Sequence, residues 1–156
     1  MSSNTARAVP LVVLAGIVGA TCDITYAILY YGWRGVPAER ILQTVASGVL
    51  GKASYDGGWP TAALGLACHY AIVIVAAAVF WAVARRWAWL RREPITAGLA
   101  FGVAIYGFMN FVVLPLSAYP YPLRFPLLTT ATGLLVHMAG VGLPIALITR
   151  RAHPAP

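Results

Sequence analysis

The stretch TAALGLACHYAIVIVAAAVFWAVA, residues Thr61–Ala84, holds no Lys, Arg, Asp or Glu and a single imidazole, His69. Roughly 20 apolar helical residues cross a hydrocarbon core, so this run is long enough to span a bilayer. Three more stretches repeat the pattern, near Pro10–Tyr31, Pro94–Leu116 and Leu127–Thr149. None of them contains Lys, Arg or Glu, and only the first contains an acid, Asp23. Helices are the expected form, because every backbone N–H and C=O must find a partner within lipid. A transmembrane barrel would show alternating ten-residue segments; these runs are continuous.

The whole chain agrees with its spans. Of 156 residues, 60% are hydrophobic and 10% charged, and the mean hydropathy is +0.78. Soluble domains are about 45–50% apolar and about 25% charged. Eleven Lys/Arg and four Asp/Glu cannot cover a soluble surface, and the chain is far too apolar for disorder. Two cysteines, Cys22 and Cys68, do not make a disulfide scaffold. The reading is an all-α membrane protein, residues 1–156 forming one four-helix transmembrane domain.

Charge sets the expected direction. Arg85, Arg86, Arg91 and Arg92 crowd the connection between the second and third spans, and Arg7, Arg150 and Arg151 flank the termini. The opposite face carries Arg34, Arg40, Lys52 and Arg124, partly offset by Glu39 and Asp56. The positive-inside rule then puts both termini in the cytoplasm. The net charge of +7 is mainly topological. The arginine loop suits an anionic leaflet, and no basic surface with stacking aromatics points to nucleic acid. The first span is too long for a signal peptide's apolar region. In Gly19-Ala20-Thr21-Cys22, Thr21 stands where a lipoprotein site would have Gly or Ala, so this span is read as a retained helix. Trp33, Trp59, Trp87, Trp89, Tyr30, Tyr31, Tyr119 and Tyr121 sit at span ends as an aromatic belt.

Between the first two spans, residues 37–51 carry a helical pattern. Pro37 suits a first turn and Glu39 the positive end of the helix dipole. Ile41, Leu42, Val45 and Val49 form one apolar face, with Arg40, Gln43, Thr44 and Ser47 opposite. This predicts an amphipathic helix at the outer interface, or a lid over the bundle hinged at Gly48, Gly51 and Gly57-Gly58. Tyr119–Pro126 reads as a proline-stiffened turn. His153 lies in the tail and needs no role.

An internal repeat locates the candidate site. Thr61–Val73 and Thr129–Val141 match at seven of thirteen positions, among them Gly65/Gly133 and His69/His137. The chain has only three histidines, so the matched pair is the informative one. A repeat linking the second and fourth spans is parallel, relating two helix pairs about the membrane normal, a scheme common in transporters. Asp23 and Asn110 add one strongly polar residue to each remaining span. Counting inward at 1.5 Å per residue puts Asp23, His69, Asn110 and His137 in one layer, about 10 Å from the outer boundary. Each of Asp23, His69 and His137 shares a stripe with small residues, where membrane helices approach one another. Gly98-x-x-x-Gly102 forms a separate small-residue contact, and Pro115 and Pro144 are expected to kink the third and fourth spans.

A buried charge costs about 2.5–3.5 kcal/mol on insertion scales, which makes Asp23 a functional candidate. Three functions fit this buried polar layer. The first is a pathway for protons, ions or a small solute, Asp23 and the histidines exchanging protons and Asn110 orienting water or substrate. Four helices make a thin wall, so this reading expects a homo-oligomer or a larger complex. The second is a haem or a transition metal held by His69 and His137, a metal also drawing on Cys68 and Asp23. The third is a structural or assembly subunit in which the same residues form a hydrogen-bonded knot. Inert buried thiols are expected at Cys22 and Cys68. No G-x-S-x-G, H-E-x-x-H or phosphate-cradling glycine loop is present, so hydrolytic catalysis is the least supported chemistry.

Gly65-Leu66-Ala67-Cys68-His69, Ala97-Gly98-Leu99-Ala100, Pro115-Leu116 and the Gly133–His137 segment together resemble the YagU-like family of small bacterial inner-membrane proteins. The resemblance covers the last three spans. It implies a polytopic inner-membrane protein and brings no reaction, substrate or catalytic residue.

Overall fold

A computed structural model describes residues 3–152; His153 and the side chain of Arg7 lie outside the described residues. Regular structure among the described residues is entirely helical: α1 (Ser3–Gly32), α2 (Ala38–Leu50), α3 (Gly58–Arg86), α4 (Trp89–Arg92), α5 (Pro94–Leu116) and α6 (Leu127–Ala152). Helices α1, α3, α5 and α6 are long and apolar enough to cross a membrane. The chain is an all-α membrane protein. Helix α3 runs past its apolar stretch at both ends, and its last turn carries Arg85 and Arg86, where cations suit the helix dipole.

Helix α1 packs against both α3 and α6, and α5 packs against α6. Small residues decide these contacts. A Cβ built on Gly16 of α1 would stand 2.5 Å from the Ile74 Cα of α3, and one on Gly98 of α5 would stand 2.8 Å from the Leu143 Cα of α6. Carbon atoms prefer about 3.5–4.0 Å, so no larger residue allows these approaches. Away from α2, the bundle is closed by buried Val12, Ala15, Ala77, Phe80, Val141, Ile145 and Ala146. Helices α3 and α5 diverge, leaving an apolar cleft of about 690 Å³ lined by Ile72, Val75, Val79, Phe101, Ile105 and Phe108, among others.

Helix α2 departs from its expected faces. Gln43 is 4% exposed and Ser47 fully buried, whereas Val49 is 64% exposed. The reason lies in the approach to α3: the Leu42 carbonyl and the Ala46 nitrogen rest against Gly65, leaving no room for a side chain there. The buried face is therefore Ile41, Leu42, Gln43, Ala46 and Ser47, one step round from the purely apolar stripe. Gln43 is satisfied inside it, its amide donating to Gly58 O at 3.1 Å and Thr61 Oγ1 at 3.3 Å. At the far end, the Ala118 N–H donates to Gly48 O at 2.9 Å. The turn after α5 thereby holds α2 across the bundle.

Pro115 and Pro144 have a common local effect. Each follows a widened π-helical turn, Met109–Val113 in α5 and His137–Gly142 in α6. At their ends Leu114 N–H donates to Met109 O and Leu143 N–H to Met138 O, five residues back. A proline lacks an N–H and its ring crowds the carbonyl four residues earlier, so a wide turn ahead of it relieves both.

Candidate functional site

Three of the four layer residues meet where α1, α3 and α6 converge. Asp23 Oδ1 lies 3.5 Å from His137 Nδ1, and Oδ2 lies 4.0 Å from His69 Nε2. One carboxylate thus bridges two imidazoles on different helices. The same two nitrogens donate hydrogen bonds to backbone carbonyls, His69 Nε2 to Ala20 O at 3.0 Å and His137 Nδ1 to Gly133 O at 2.9 Å. A carbonyl can only accept, so both nitrogens facing Asp23 carry protons. The lone pairs of the neutral rings then lie on His69 Nδ1 and His137 Nε2, the ring atoms away from the carboxylate. The side chains of Asp23, His137 and His69 are 20%, 18% and 11% exposed. The centre is enclosed but not sealed.

Local sequence explains the geometry. Ala20 is small enough to let the His69 ring reach the α1 backbone. His137 opens the wide turn of α6, and Gly102 of α5 backs directly onto its carbonyl, with the Met138 Cα 2.5 Å from where a Cβ would stand. The G-x-x-x-G pair read as a separate contact therefore positions a site residue. Rings brace both imidazoles edge-on: Tyr106 is 5.2 Å from His137 and Tyr70 is 6.0 Å from His69, centroid to centroid. Tyr70 is anchored in turn on Thr21, 2.9 Å away, whose hydroxyl donates to Ile17 O.

Asn110 does not join the cluster through its amide. It sits in the wide turn of α5 and donates back to Tyr106 O at 2.8 Å, satisfying itself within its own helix. The thiols also differ from expectation. Cys22 is exposed and Cys68 half-buried, both free, because Cys22 lies on the rim where α1 passes Gly140 of α6.

Sequence reasoning missed two polar pairs beside Asp23. The Tyr26 hydroxyl donates to Thr132 Oγ1 at 2.6 Å, and Tyr30 and Thr129 share a hydrogen bond of 2.8 Å. The Arg34 guanidinium lies 3.8 Å over the Tyr30 ring. A signal was present: Asp23, Tyr26 and Tyr30 fall at i, i+3 and i+7, and Thr129, Thr132 and His137 share a stripe of α6. Tyr30 suits the aromatic belt equally well, which masks the pattern.

Among the described residues no three His, Cys, Asp or Glu side chains are grouped to hold a metal ion. The hydrogen bonds add a separate chemical argument. A metal ligand needs an unprotonated nitrogen, and the nitrogens that converge here are the protonated ones. Comparison with family models, with curated proteins and with solved structures found no match to the chain.

Proposed function

We propose that this chain is a component of a proton or small-solute pathway in a bacterial inner membrane, with Asp23, His69 and His137 as its exchange site. The observation that carries this reading is the carboxylate bridging two imidazoles, partly exposed, inside an otherwise apolar bundle. Imidazole changes charge near neutral pH, and intramembrane acids and histidines are the usual parts of proton relays. The cost of burying Asp23 argues against a purely structural knot, which neutral amides could supply.

The arginine-rich connection around α4 supports a cytoplasmic location for that end and for both termini, and the YagU-like resemblance supports the inner membrane. A thin four-helix wall supports assembly with further copies or with other subunits.

Proton flux into liposomes containing the purified protein tests the reading. Wild type should dissipate an imposed pH gradient, and Asp23→Asn, which keeps the shape and removes the charge, should not. Equal flux in the two overturns it. So does a Soret band or stoichiometric metal that is lost in both His69→Ala and His137→Ala, which would assign the histidines to a cofactor.

A further inference from the structure

Resting on that reading, we infer that the site exchanges protons rather than metal cations, and that in the conformation described it opens to one face of the membrane only, through the α1–α6 seam on the α2 side. Flux across the membrane then requires the opposite half of the seam to part in turn. Two halves of the same seam differ in kind. From Asp23 toward α2, the seam presents Tyr26 with Thr132 and then Tyr30 with Thr129, all partly exposed. Seven residues separate Asp23 from Tyr30, about 10 Å of helix, and Arg34 closes the row over the Tyr30 ring. Hydroxyls both donate and accept, so with intervening water they can pass a proton along this distance. From Asp23 toward α4, the seam is Val12, Ala15, Val141, Ile145 and Ala146, all buried. Among the described side chains its one hydroxyl, on buried Thr149, donates to Ile145 O of its own helix at 2.6 Å, and none offers a relay.

Selectivity follows from what faces the carboxylate. A metal cation requires several unprotonated ligands, whereas the nitrogens nearest Asp23 are the protonated ones of His69 and His137, engaged with Ala20 O and Gly133 O, which cannot coordinate one. Arg34 adds positive charge at the entrance. A proton needs a single lone pair: a hydronium ion at the Arg34 end gives it up, becoming water, and it forms an O–H on Asp23 or an N–H on the free ring nitrogen of His69 or His137. The centre gains one positive charge, and release along the same route reverses the step. The other titratable groups around it are Tyr70 and Cys68 of α3, Tyr106 of α5, and Cys22 and Tyr26 of α1. On α2, Arg40 stacks on Tyr55 at 3.8 Å and Glu39 lies beside Gly58.

Side-specific cysteine labelling tests the route. In a Cys22→Ser, Cys68→Ser background in oriented proteoliposomes, Thr132→Cys should react with a membrane-impermeant thiol reagent added on the α2 side. With no pH gradient imposed, Ile145→Cys should react from neither side. Labelling of Ile145→Cys from the α4 side, or of Thr132→Cys from that side alone, overturns one-sided access. A second measurement keeps Tyr packing intact: nitrogen NMR of the His69 and His137 rings in nanodiscs, followed as pH changes. Tyr26→Phe with Tyr30→Phe should slow proton exchange several-fold at an unchanged midpoint, and an unchanged rate overturns the hydroxyl route. A midpoint displaced by sodium but not by choline overturns proton selectivity. Rings that do not titrate at all would sink the exchange-site reading itself, a result distinct from any failure of the route.

Discussion

Asp23 Oδ1 lies nearer to His137 Nδ1, at 3.5 Å, than Oδ2 lies to His69 Nε2, at 4.0 Å. The two histidines of the sequence repeat are therefore not equivalent partners. They also present different ring nitrogens to the carboxylate. Their surroundings differ as well, since Gly65 meets the α2 backbone while Gly133 meets the Tyr106 ring.

A double-mutant cycle should read this difference. Asp23→Asn and His137→Ala should be non-additive in stability, and more so than Asp23→Asn with His69→Ala. Polar pairs in membrane bundles couple by about 0.6 kcal/mol on average and up to about 1.7, so the His137 cycle should lie toward the upper figure. Asn110→Ala should be additive with Asp23→Asn, because its amide bonds its own helix. Unfolding in mixed micelles gives all three values; equal couplings would contradict the geometry.

Helix α5 offers a matched pair of glycines. A Cβ on Gly102 would collide with the backbone of His137 and Met138, while one on Gly107 meets nothing within 4 Å. Overpacking costs about 1–3 kcal/mol. Gly102→Ala should be destabilising by that amount and should also shift the ring signals of His137. Gly107→Ala should be neutral or mildly stabilising, since alanine favours helix by about 1 kcal/mol.

The four spans were legible because 20-residue apolar runs have few alternatives in lipid. The meeting of Asp23, His69 and His137 was legible from their depth and their small-residue stripes. Depth alone could not exclude Asn110, whose direction depends on a wide turn created by Pro115 five residues further along. The α2 faces were misread for a related reason. An apolar stripe predicts burial against lipid or a core, but here backbone contact at Gly65 sets the rotation and brings Gln43 inside. The Tyr–Thr pairs were hidden because an aromatic residue near a span end fits the interface equally well.

Gln43 supplies a direct check of how α2 is held. Gln43→Leu keeps much of the volume but removes the amide that donates to Gly58 O and Thr61 Oγ1. The loss should be about 0.5–1.5 kcal/mol, the net worth of a typical hydrogen bond. It should appear as faster protease cleavage in the segment after α2, around Gly51–Asp56. A helix merely lying on an interface would bind its surface more tightly with leucine, so slower cleavage would contradict the packed arrangement.

The wide turn of α6 yields the last prediction. A residue adds about 100° of rotation to an α-helix, and the π-helical turn at His137–Gly142 absorbs one residue's worth of it. From the foot of the turn downward, α6 is fixed by Gly98 of α5, which meets Gly142, Leu143 and Ala146. Thr129 and Thr132 above the turn face α1 together with His137, which opens it. Pro144→Ala restores an N–H that can bond Gly140 O and removes the ring that crowds it, which favours regular α-helix through this region. The upper half would then turn relative to the lower, carrying His137 off Asp23 and both threonines off their tyrosines. Pro144→Ala should therefore abolish the Asp23–His137 coupling while the protein stays folded. Coupling that persists undiminished would show that tertiary contacts, and not the proline, hold the turn open.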